Sequence, residues 1–336
     1  MDSLSQLVLG ACCLGFAAPP QHRRAALALG AAVGTLPDMD VLINYGGAIE
    51  NFTMHRGFSH SLLLLPWVGL LLHGLLLLLW RPARAQAWRW LLAIELALLT
   101  HPVLDAFTIY GTQLWWPLTS APVAIGSVFI IDPLYTLPLL VAALWAFFKP
   151  QSRNSLRLLG GALLLSSAYL GWSLLAQAHV ERTLNASIRS AFGADAKTLV
   201  VPMPLNTLLW RVLVVRSNGD YAEGFYSLLN PSVQVRWQNY LGQSELLDAL
   251  ATDPRLKRLK WFTHGFLAAE QIGSKVVIKD LRMGAQEAYV FRFVLAERMP
   301  TGETRPVPAE QLAWPTRGSE MLSDLWLRLF EPNAGQ

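Results

Sequence analysis

The chain has 336 residues, of which 53% are hydrophobic and 15% are charged, and its formal net charge is +4. Because soluble domains usually carry about 25% charged residues, this composition excludes a protein that is water-soluble along its whole length. Its two cysteines, Cys12 and Cys13, are adjacent, so the sequence predicts no disulfide framework.

Six apolar segments are predicted within residues 1–180, where the deficit of charge is concentrated. The first two, Leu4–Ala18 and Ala25–Leu36, are short, about 20 Å each as helices. No basic residue precedes the first segment, so it is predicted to be an uncleaved membrane segment rather than a secretory signal. Gly30 and Gly34 have the spacing of a close helix–helix contact. The other four segments are long enough to cross a hydrocarbon core of about 30 Å. They are Ser61–Trp80, Trp88–Ile109, Gly126–Phe148 and Leu156–Ala178.

Basic residues cluster in alternate loops of this six-segment arrangement. The basic loops are His22–Arg24, Arg81–Arg89 and Lys149–Arg157. The positive-inside rule makes their side cytoplasmic. Residues 37–60, residues 110–125 and everything after about 180 are then predicted to face the periplasm of a bacterial inner membrane. This topology explains the positions of the basic residues better than nucleic-acid binding does. No nucleic-acid partner is therefore expected.

Residues 181–336 have the composition of an ordinary soluble domain. Alternating apolar residues predict strands at Trp210–Arg216, Tyr221–Leu228, Lys275–Leu281 and Tyr289–Glu297, with a turn at Asn218–Asp220. Ser244–Thr252 and Ser319–Phe330 are predicted to be amphipathic helices. The predicted fold is a mainly α polytopic membrane domain, residues 1–180, followed by a small α+β soluble domain, residues 181–336. The membrane domain is expected to have about four clear transmembrane helices and two short N-terminal membrane segments.

Histidine and aspartate side chains recur beside or within the apolar segments, where they are costly unless they have partners. They are Asp38, Asp40, His55, His60, His101, Asp105 and Asp132. In the predicted topology their four regions of sequence reach one layer near the outer face. Histidine with carboxylate, in the absence of cysteine, is typical of a zinc, manganese or iron site. His101 and Asp105 are four residues apart, which places both on one helix face.

Individual roles are predicted from the chemistry of each residue. His55 is expected to project from a loop and His60 from the first helical turn, with Gly57 as the bend between them. In the Asp38/Asp40 pair, one residue is expected to bind metal. The other is expected to be a second ligand, a general base or a residue that orients a ligand. Arg56 is expected to hold a phosphate group beside the metal.

Several of these residues also have a structural explanation. Asp132 precedes Pro133 and can cap a helix, Arg56 can extend toward lipid headgroups, and Asp38 can cap a turn. His73 and His179 are predicted to be ordinary hydrogen-bonding residues between helices. The groups of aspartate and histidine taken together favour a metal site over these explanations.

At these residues the chain resembles the YdjM-like family of inner-membrane, predicted metal-dependent hydrolases. The matching segments are Met1–Gln6, Gly34–Asp40, His55–Ser61, His101–Asp105, Thr108–Gly111 and Asp132–Pro138. The resemblance covers roughly residues 1–180 and implies a multipass membrane hydrolase with a bound divalent metal. Zinc is the first choice of metal, with manganese or iron as alternatives.

The resemblance also implies particular site residues. The implied metal ligands are Asp38, Asp40, His55, His60, His101 and Asp105. Many members have a histidine where this chain has Gln6, so the site is expected to hold one metal fewer or to use Gln6 for substrate contact. The expected substrate contacts are Arg56, Gln6, Asp132 and Tyr110.

The predicted activity is hydrolysis of a lipid or lipid-linked ester or phosphoester by a metal-activated water, with Asp38, Asp40 and Arg56 as catalytic residues. One alternative is a transporter for ions or metals, for which Glu95 is the one good candidate acid toward the cytoplasmic side. The other is a non-catalytic scaffold that contains a structural metal. The sequence does not identify a protein partner for the C-terminal domain.

Overall fold

The computed structural model describes residues 1–314 and 325–334. The chain divides into two compact units. The helical unit comprises Met1–Ile43, His55–Leu174 and Pro204–Asn206. The C-terminal unit comprises Asn44–Met54, Leu175–Met203 and Thr207–Gln336. Residue 180, where the sequence predicts a domain boundary, lies inside a single helix that runs from Arg153 to Phe192.

The helices of the N-terminal region follow the apolar segments of the sequence. They are α1 (Ser3–Ala17), α2 (Arg23–Thr35), α3 (Ala48–Met54), α4 (Leu65–Leu79), α5 (Ala87–Ala106), α6 (Pro133–Phe148) and α7 (Arg153–Phe192). Two short 3₁₀ segments matter for the site. Leu36–Leu42 continues from α2, and Phe58–His60 precedes α4.

Three helical stretches among the described residues are long and apolar enough to cross a membrane. They are Pro20–Leu42, Arg81–Ala106 and Arg153–Phe192. A fourth span requires Ala48–His60 and Leu65–Leu79 to act together, although they are bent by 62° relative to each other. The prediction of four clear spans is therefore confirmed only in its coarser form, a helical N-terminal region with about three candidate spans.

Two predicted spans are shorter than expected because local hydrogen bonds end the helix inside an apolar run. The Asp132 side chain caps α6 by accepting from the backbone N–H groups of Leu134 and Tyr135, so the helix begins at Pro133. The Ser61 hydroxyl accepts from the N–H groups of Leu63 and Leu64 in a turn before α4, and α4 begins at Leu65 without a side-chain cap. Hydropathy alone does not detect such a turn or cap, because the neighbouring residues remain apolar.

Helices α1 and α2 approach each other closely through glycine. A Cβ atom placed on Gly30 would lie 2.3 Å from the Gly10 carbonyl oxygen, and one placed on Gly34 would lie 2.8 Å from the Gly10 Cα. Only residues without a side chain allow this separation of the two backbones. The predicted close contact at Gly30 and Gly34 is confirmed, with Gly10 as its partner.

The C-terminal unit contains two antiparallel four-stranded sheets and a short hairpin. The strands are β1 (Lys197–Pro202), β2 (Leu209–Val215), β3 (Tyr221–Ser227), β4 (Gln238–Tyr240), β5 (Leu267–Ile272), β6 (Lys275–Asp280), β7 (Gly284–Ala285), β8 (Ala288–Tyr289), β9 (Arg292–Arg298) and β10 (Thr304–Gln311). One sheet has the order β1-β2-β3-β4, the other has the order β10-β9-β6-β5, and β7 pairs with β8. Helices α8 (Ser244–Ala249) and α9 (Pro254–Phe262) lie between β4 and β5 in sequence.

The four predicted strands are present, and the predicted turn joins β2 to β3, with Gly219 at a φ of 86°. The fourth strand differs, because residues 290–291 separate β8 from β9. The predicted helix from Ser244 ends at Ala249 rather than at Thr252. Of the predicted helix Ser319–Phe330, residues 325–330 are helical, and residues 319–324 lie outside the described residues.

Helix α3 is part of the C-terminal core even though it lies between Asp40 and His55 in sequence. The Phe52 ring lies 4.9, 4.5 and 5.2 Å from the rings of Phe262, Phe291 and Phe293, measured between centroids. Arg258 Nε donates to the Thr53 hydroxyl, and Thr53 is fully buried. The segment is thus held in the C-terminal unit by both aromatic packing and a hydrogen bond.

A buried polar cluster links the strands of the C-terminal unit. Arg211 Nη1 donates to the Leu281 carbonyl oxygen at 2.9 Å. The Arg211 guanidinium and the Tyr289 hydroxyl both donate to the Glu223 carboxylate. Burial, reinforced by Glu223, raises the pKa of Tyr289 well above its ordinary value, so the phenol remains a donor. Burial opposes the charge of Arg211, but Glu223 outweighs this effect and the pKa of Arg211 is raised.

Candidate metal centre

Four side chains of the helical unit converge on one point. They are Asp38, His60, His101 and Asp105, whose potential ligand atoms all lie within 4.8 Å of one another. The side chains of His60, His101 and Asp105 are fully buried, whereas 21% of the Asp38 side chain is exposed. Asp38 therefore marks the side from which the cluster is reached by solvent.

Three separate elements supply these residues. Asp38 lies in the 3₁₀ segment after α2, and His60 ends the 3₁₀ turn before α4. His101 and Asp105 lie one turn apart on α5, as their spacing predicts. The backbone reverses at Arg56, whose φ is 63°, so the bend begins one residue before the predicted position at Gly57.

Five of the six distances between the four potential ligand atoms have the size expected of a tetrahedral metal site. His60 Nε2 lies 3.1 Å from His101 Nε2, and Asp38 Oδ1 lies 3.4 Å from each of these nitrogens. Asp105 Oδ2 lies 3.2 Å from His60 Nε2 and 3.5 Å from His101 Nε2. Bonds of about 2.0–2.1 Å in a tetrahedron separate the ligand atoms by roughly 3.3–3.4 Å. These five distances lie close to this separation, and all four atoms lie within 4.8 Å of one another.

Hydrogen bonds at the opposite ring nitrogens determine which nitrogen of each histidine is an acceptor. His101 Nδ1 lies 2.6 Å from the Gly34 carbonyl oxygen and must donate to it. His60 Nδ1 lies 2.9 Å from Ser59 Oγ, and the Ser59 hydroxyl donates to Asp40 Oδ2 at 2.6 Å. His60 Nδ1 is therefore the donor of that pair. In the neutral rings, both Nε2 atoms then carry lone pairs.

The resulting arrangement fits a divalent cation. Two imidazole lone pairs and two carboxylate oxygens face one another at short range, and a cation between them removes their mutual repulsion. Asp38 Oδ1 and Asp105 Oδ2 are buried and accept no hydrogen bond from the described residues. Buried polar atoms usually have hydrogen-bond partners, so a bound metal explains why these two accept no hydrogen bond.

The structure places Asp40 and His55 outside this group of four. The buried Asp40 carboxylate accepts from His55 Nδ1 at 2.7 Å, from the Arg56 backbone N–H at 2.9 Å and from the Ser59 hydroxyl. The His55 ring lies beside the group, 6.0 Å from the His60 ring between centroids, and 22% of its side chain is exposed. The two residues thus form a hydrogen-bonded pair adjacent to the candidate metal position.

Arg56 lies against the metal group and is almost fully buried. Its Nε is 3.2 Å from Asp105 Oδ2, and its Nη1 donates to the Thr108 hydroxyl at 3.3 Å. The guanidinium carbon lies 4.9 Å from the centre of the Tyr110 ring. Its positive charge therefore offsets the charge of Asp105 and is packed against Tyr110.

Gln6 supports the same carboxylate from α1. Its Nε2 donates to Asp105 Oδ1 at 2.9 Å and to the His101 carbonyl oxygen at 3.2 Å. The α-amino group of Met1 also contacts Asp105 Oδ1. Asp105 is therefore held on one oxygen by Gln6 and Met1 while its other oxygen faces the two histidines.

Asp132 has a different environment from the other predicted site residues. One of its oxygens accepts from the backbone of α6, and the other accepts from the Tyr169 hydroxyl at 2.7 Å. Both oxygens of its carboxylate are used within the protein. The structure thus matches the capping explanation, and a contact between Asp132 and substrate stays a prediction.

Two groups that orient the histidines were not predicted. The Ser59 hydroxyl connects His60 to Asp40, and the Gly34 carbonyl oxygen binds His101. Ser59 is adjacent to His60, and this position is the only signal of its role in the sequence. Every residue has a backbone carbonyl group, so the sequence does not indicate that the one at position 34 binds a histidine. Gly34 was predicted only to allow close packing of its helix.

Parts of this chain are similar to known proteins. A protein of Bacillus subtilis (strain 168), named "Uncharacterized protein YfhP", is 26% identical over 229 residues, which is 66% of this chain and 67% of the relative. No solved structure matches the chain. Residues 1–180, which include every residue of the candidate metal centre, match the family described as YdjM inner membrane protein. The chain therefore belongs to the YdjM family of inner membrane proteins.

Proposed function

We propose that this protein is a membrane-bound, metal-dependent hydrolase that acts on a lipid or lipid-linked ester or phosphoester. The observation that carries the proposal is the convergence of four acceptor atoms within 4.8 Å of one another, with one exposed edge at Asp38. A hydrogen-bonded pair of histidine and aspartate lies directly beside them. Metal hydrolases combine these two components, a metal site and an adjacent group that transfers protons.

The metal would be held by Asp38, His60, His101 and Asp105. Nitrogen and oxygen ligands at tetrahedral separations favour zinc, with manganese or iron as alternatives. A divalent ion bound there supplies Lewis acidity, which lowers the pKa of a water molecule and stabilises negative charge on a reacting oxygen.

His55 is the residue best suited to accept a proton. Asp40 holds His55 Nδ1–H, which leaves Nε2 of the neutral ring as an acceptor, and the ring is partly exposed. Asp40 was predicted as a base or ligand, but its carboxylate already accepts three hydrogen bonds. Its proposed role is therefore to orient His55 and, through Ser59, His60.

Arg56 is proposed to interact with two negatively charged groups, the Asp105 carboxylate and a phosphate of the substrate. Its Nε and Nη1 engage Asp105 and Thr108, which leaves Nη2 as the nitrogen for a substrate phosphate. A buried guanidinium offers a fixed, planar donor to an anionic oxygen. Its packing against Tyr110 keeps the guanidinium in one orientation.

An amphiphilic substrate suits the position of the site. The ligands lie at the ends of candidate membrane spans, Asp38 in Pro20–Leu42 and His101 in Arg81–Ala106. The distribution of basic loops favours an outward-facing site, with the C-terminal unit on the periplasmic side. A lipid or lipid-linked molecule would reach such a site from the membrane itself.

The decisive experiment uses the purified full-length protein in detergent with labelled phospholipids. We expect one divalent ion per chain, turnover that is lost on chelation and restored by zinc, and loss of both metal and turnover in His101→Ala and Asp38→Ala. His55→Ala is expected to retain the metal and to lose turnover. Chelator-insensitive hydrolysis, or full turnover by His101→Ala, would contradict the proposal.

One observation favours a second function, a structural metal in a non-catalytic scaffold. Four protein ligands complete a tetrahedron without a water, as in structural zinc sites. In that case chelation lowers the melting temperature strongly, and His55→Ala changes no measurable property of the metal-bound protein. Metal-dependent turnover that His55→Ala abolishes excludes the scaffold.

A further inference from the structure

The C-terminal unit contains a cavity that neither the metal centre nor the family assignment accounts for. Its volume is about 440 Å³, within the range of about 300–1,000 Å³ that is typical of small-molecule sites. The wall is built by the start of β1, the end of β2, helix α9 and the turn that follows α9. Leu247 and Leu267 form an apolar, buried part of the lining.

Basic side chains from four separate positions line this cavity. They are Lys197, Arg216, Lys260 and His264, and Asp195 is the one carboxylate among the lining residues. Arg216 donates to Asn239 Oδ1 at 2.6 Å. Neither lysine forms an ion pair with any residue in the described parts of the chain. Lys197 and Lys260 are exposed, and three positive charges against one negative charge produce a local excess that favours an anion.

The turn after α9 provides room for one of the lysines. His264 and Gly265 both have left-handed backbone conformations, with φ values of 53° and 80°. A Cβ atom on Gly265 would lie 2.8 Å from Lys197 Nζ. The Lys197 amino group therefore occupies space that any other residue at position 265 would fill. These conformations end α9, because the Gly265 N–H donates to the Lys260 carbonyl oxygen at 2.9 Å.

We propose that this cavity binds a phosphate group, with the ammonium groups of Lys197 and Lys260 as its direct contacts. Lysine binds phosphate as a compact charge with three donors. The apolar lining suits an organic substituent on the phosphate. The same chemistry is offered by a soluble phosphate ester and by the headgroup of an anionic phospholipid, and the experiment separates the two.

The test measures binding by calorimetry with the purified full-length protein. All variants carry His101→Ala, so that the metal centre does not contribute. The two titrants are inorganic phosphate and a short-chain phosphatidylglycerol below its micellar concentration. The test variant is Lys197→Gln/Lys260→Gln. The matched control is Lys257→Gln, which removes an exposed charge from α9 but does not line the cavity.

We expect the double variant to weaken binding roughly tenfold or more, because charge-assisted hydrogen bonds are lost. Lys257→Gln should bind as the parent does. Binding of inorganic phosphate alone assigns the site to soluble phosphates, and tighter binding of the lipid assigns it to headgroups. Absence of binding by both titrants overturns the proposal, as does equal weakening by Lys257→Gln. Unchanged melting temperatures establish that the variants are folded.

Discussion

Three histidines of the site each use Nδ1 as a donor to the protein. His101 donates to the Gly34 carbonyl oxygen, His55 donates to Asp40, and His60 reaches Asp40 through Ser59. This pattern presents the Nε2 atoms of His60 and His101 to the same point. Metal-binding histidines are commonly held in this way, and the groups behind them affect metal affinity strongly.

The first prediction concerns Asp40, which contacts two of these histidines without belonging to the group of four ligands. Asp40→Asn introduces a donor where the carboxylate accepts three hydrogen bonds, so the orientations of Ser59 and His55 are disturbed. We expect zinc affinity to fall by about 10–100-fold, measured by competition with a chromophoric chelator. The control is Asp132→Asn, at a buried aspartate that caps α6, which should leave zinc affinity unchanged. Wild-type affinity in Asp40→Asn contradicts the role assigned to Asp40.

The four converging residues all belong to the six that the family resemblance implies, but their separation from the other two was not predictable. Asp38 and Asp40 lie two residues apart in a 3₁₀ segment. With three residues per turn, such side chains point about 120° apart. Asp38 therefore faces the histidine nitrogens, and Asp40 faces Ser59 and His55. A sequence motif records residue types but not the local helix type that directs them.

At the scale of elements, the close contact of α1 and α2 also supports the metal centre. Gly34 packs against Gly10 and Gln6 of α1, and its carbonyl oxygen accepts from His101 of α5. Gln6 in turn donates to Asp105 of α5. The spacing of α1 and α2 thus determines where two of the four ligands are held.

The second prediction tests this dependence with three glycine-to-alanine variants. Gly30→Ala and Gly34→Ala force the helices apart, and each should reduce the free energy of unfolding by about 1–3 kcal/mol. Gly34→Ala should in addition lower zinc affinity, because it displaces the carbonyl oxygen that orients His101. Gly74 of α4 is the control, since a Cβ there meets no atom within 4 Å. Thermal unfolding in detergent measures stability. If Gly30→Ala leaves the free energy of unfolding unchanged, the packing of α1 against α2 does not depend on this contact.

The sequence predicted the central strands of the C-terminal unit, β2, β3, β6 and β9, but missed helix α9 and the strands β1, β4, β5, β7 and β10. Strands β2 and β3 are buried along their whole length and carry strong apolar patterns. Strand β10 is largely exposed and contains Pro306 and Pro308. Proline cannot donate to a sheet and is confined to edges, and β10 is an edge strand in its sheet. Its existence depends on pairing with β9, which local sequence patterns do not report.

At the scale of the whole molecule, the third prediction concerns the buried cluster of the C-terminal unit. Glu223→Ala removes the carboxylate that neutralises Arg211 and accepts from Tyr289, and leaves a fully buried guanidinium without its counter-charge. We expect the free energy of unfolding of this unit to fall by about 3–5 kcal/mol. Glu223→Gln should cost less because the amide oxygen still accepts a hydrogen bond. Calorimetry of the two variants gives the comparison, and equal melting temperatures for Glu223→Ala and the wild type would contradict it.

Because the chain passes through α3 between Asp40 and His55, the helical unit cannot be separated from the C-terminal unit by a simple truncation. Residues 44–54 belong to the C-terminal unit, where Ile49, Phe52 and Thr53 are buried, yet they join Asp40 to His55. A chain truncated at residue 180 keeps all the residues that match the family. It loses Phe262, Phe293 and Arg258, however, and so leaves an uncovered apolar helix between Asp40 and His55, the pair beside the candidate metal position. If such a truncated protein is inactive, the cause can be the loss of the residues that cover α3, so the result does not test whether the metal centre is catalytic. Functional assays should therefore use the whole chain.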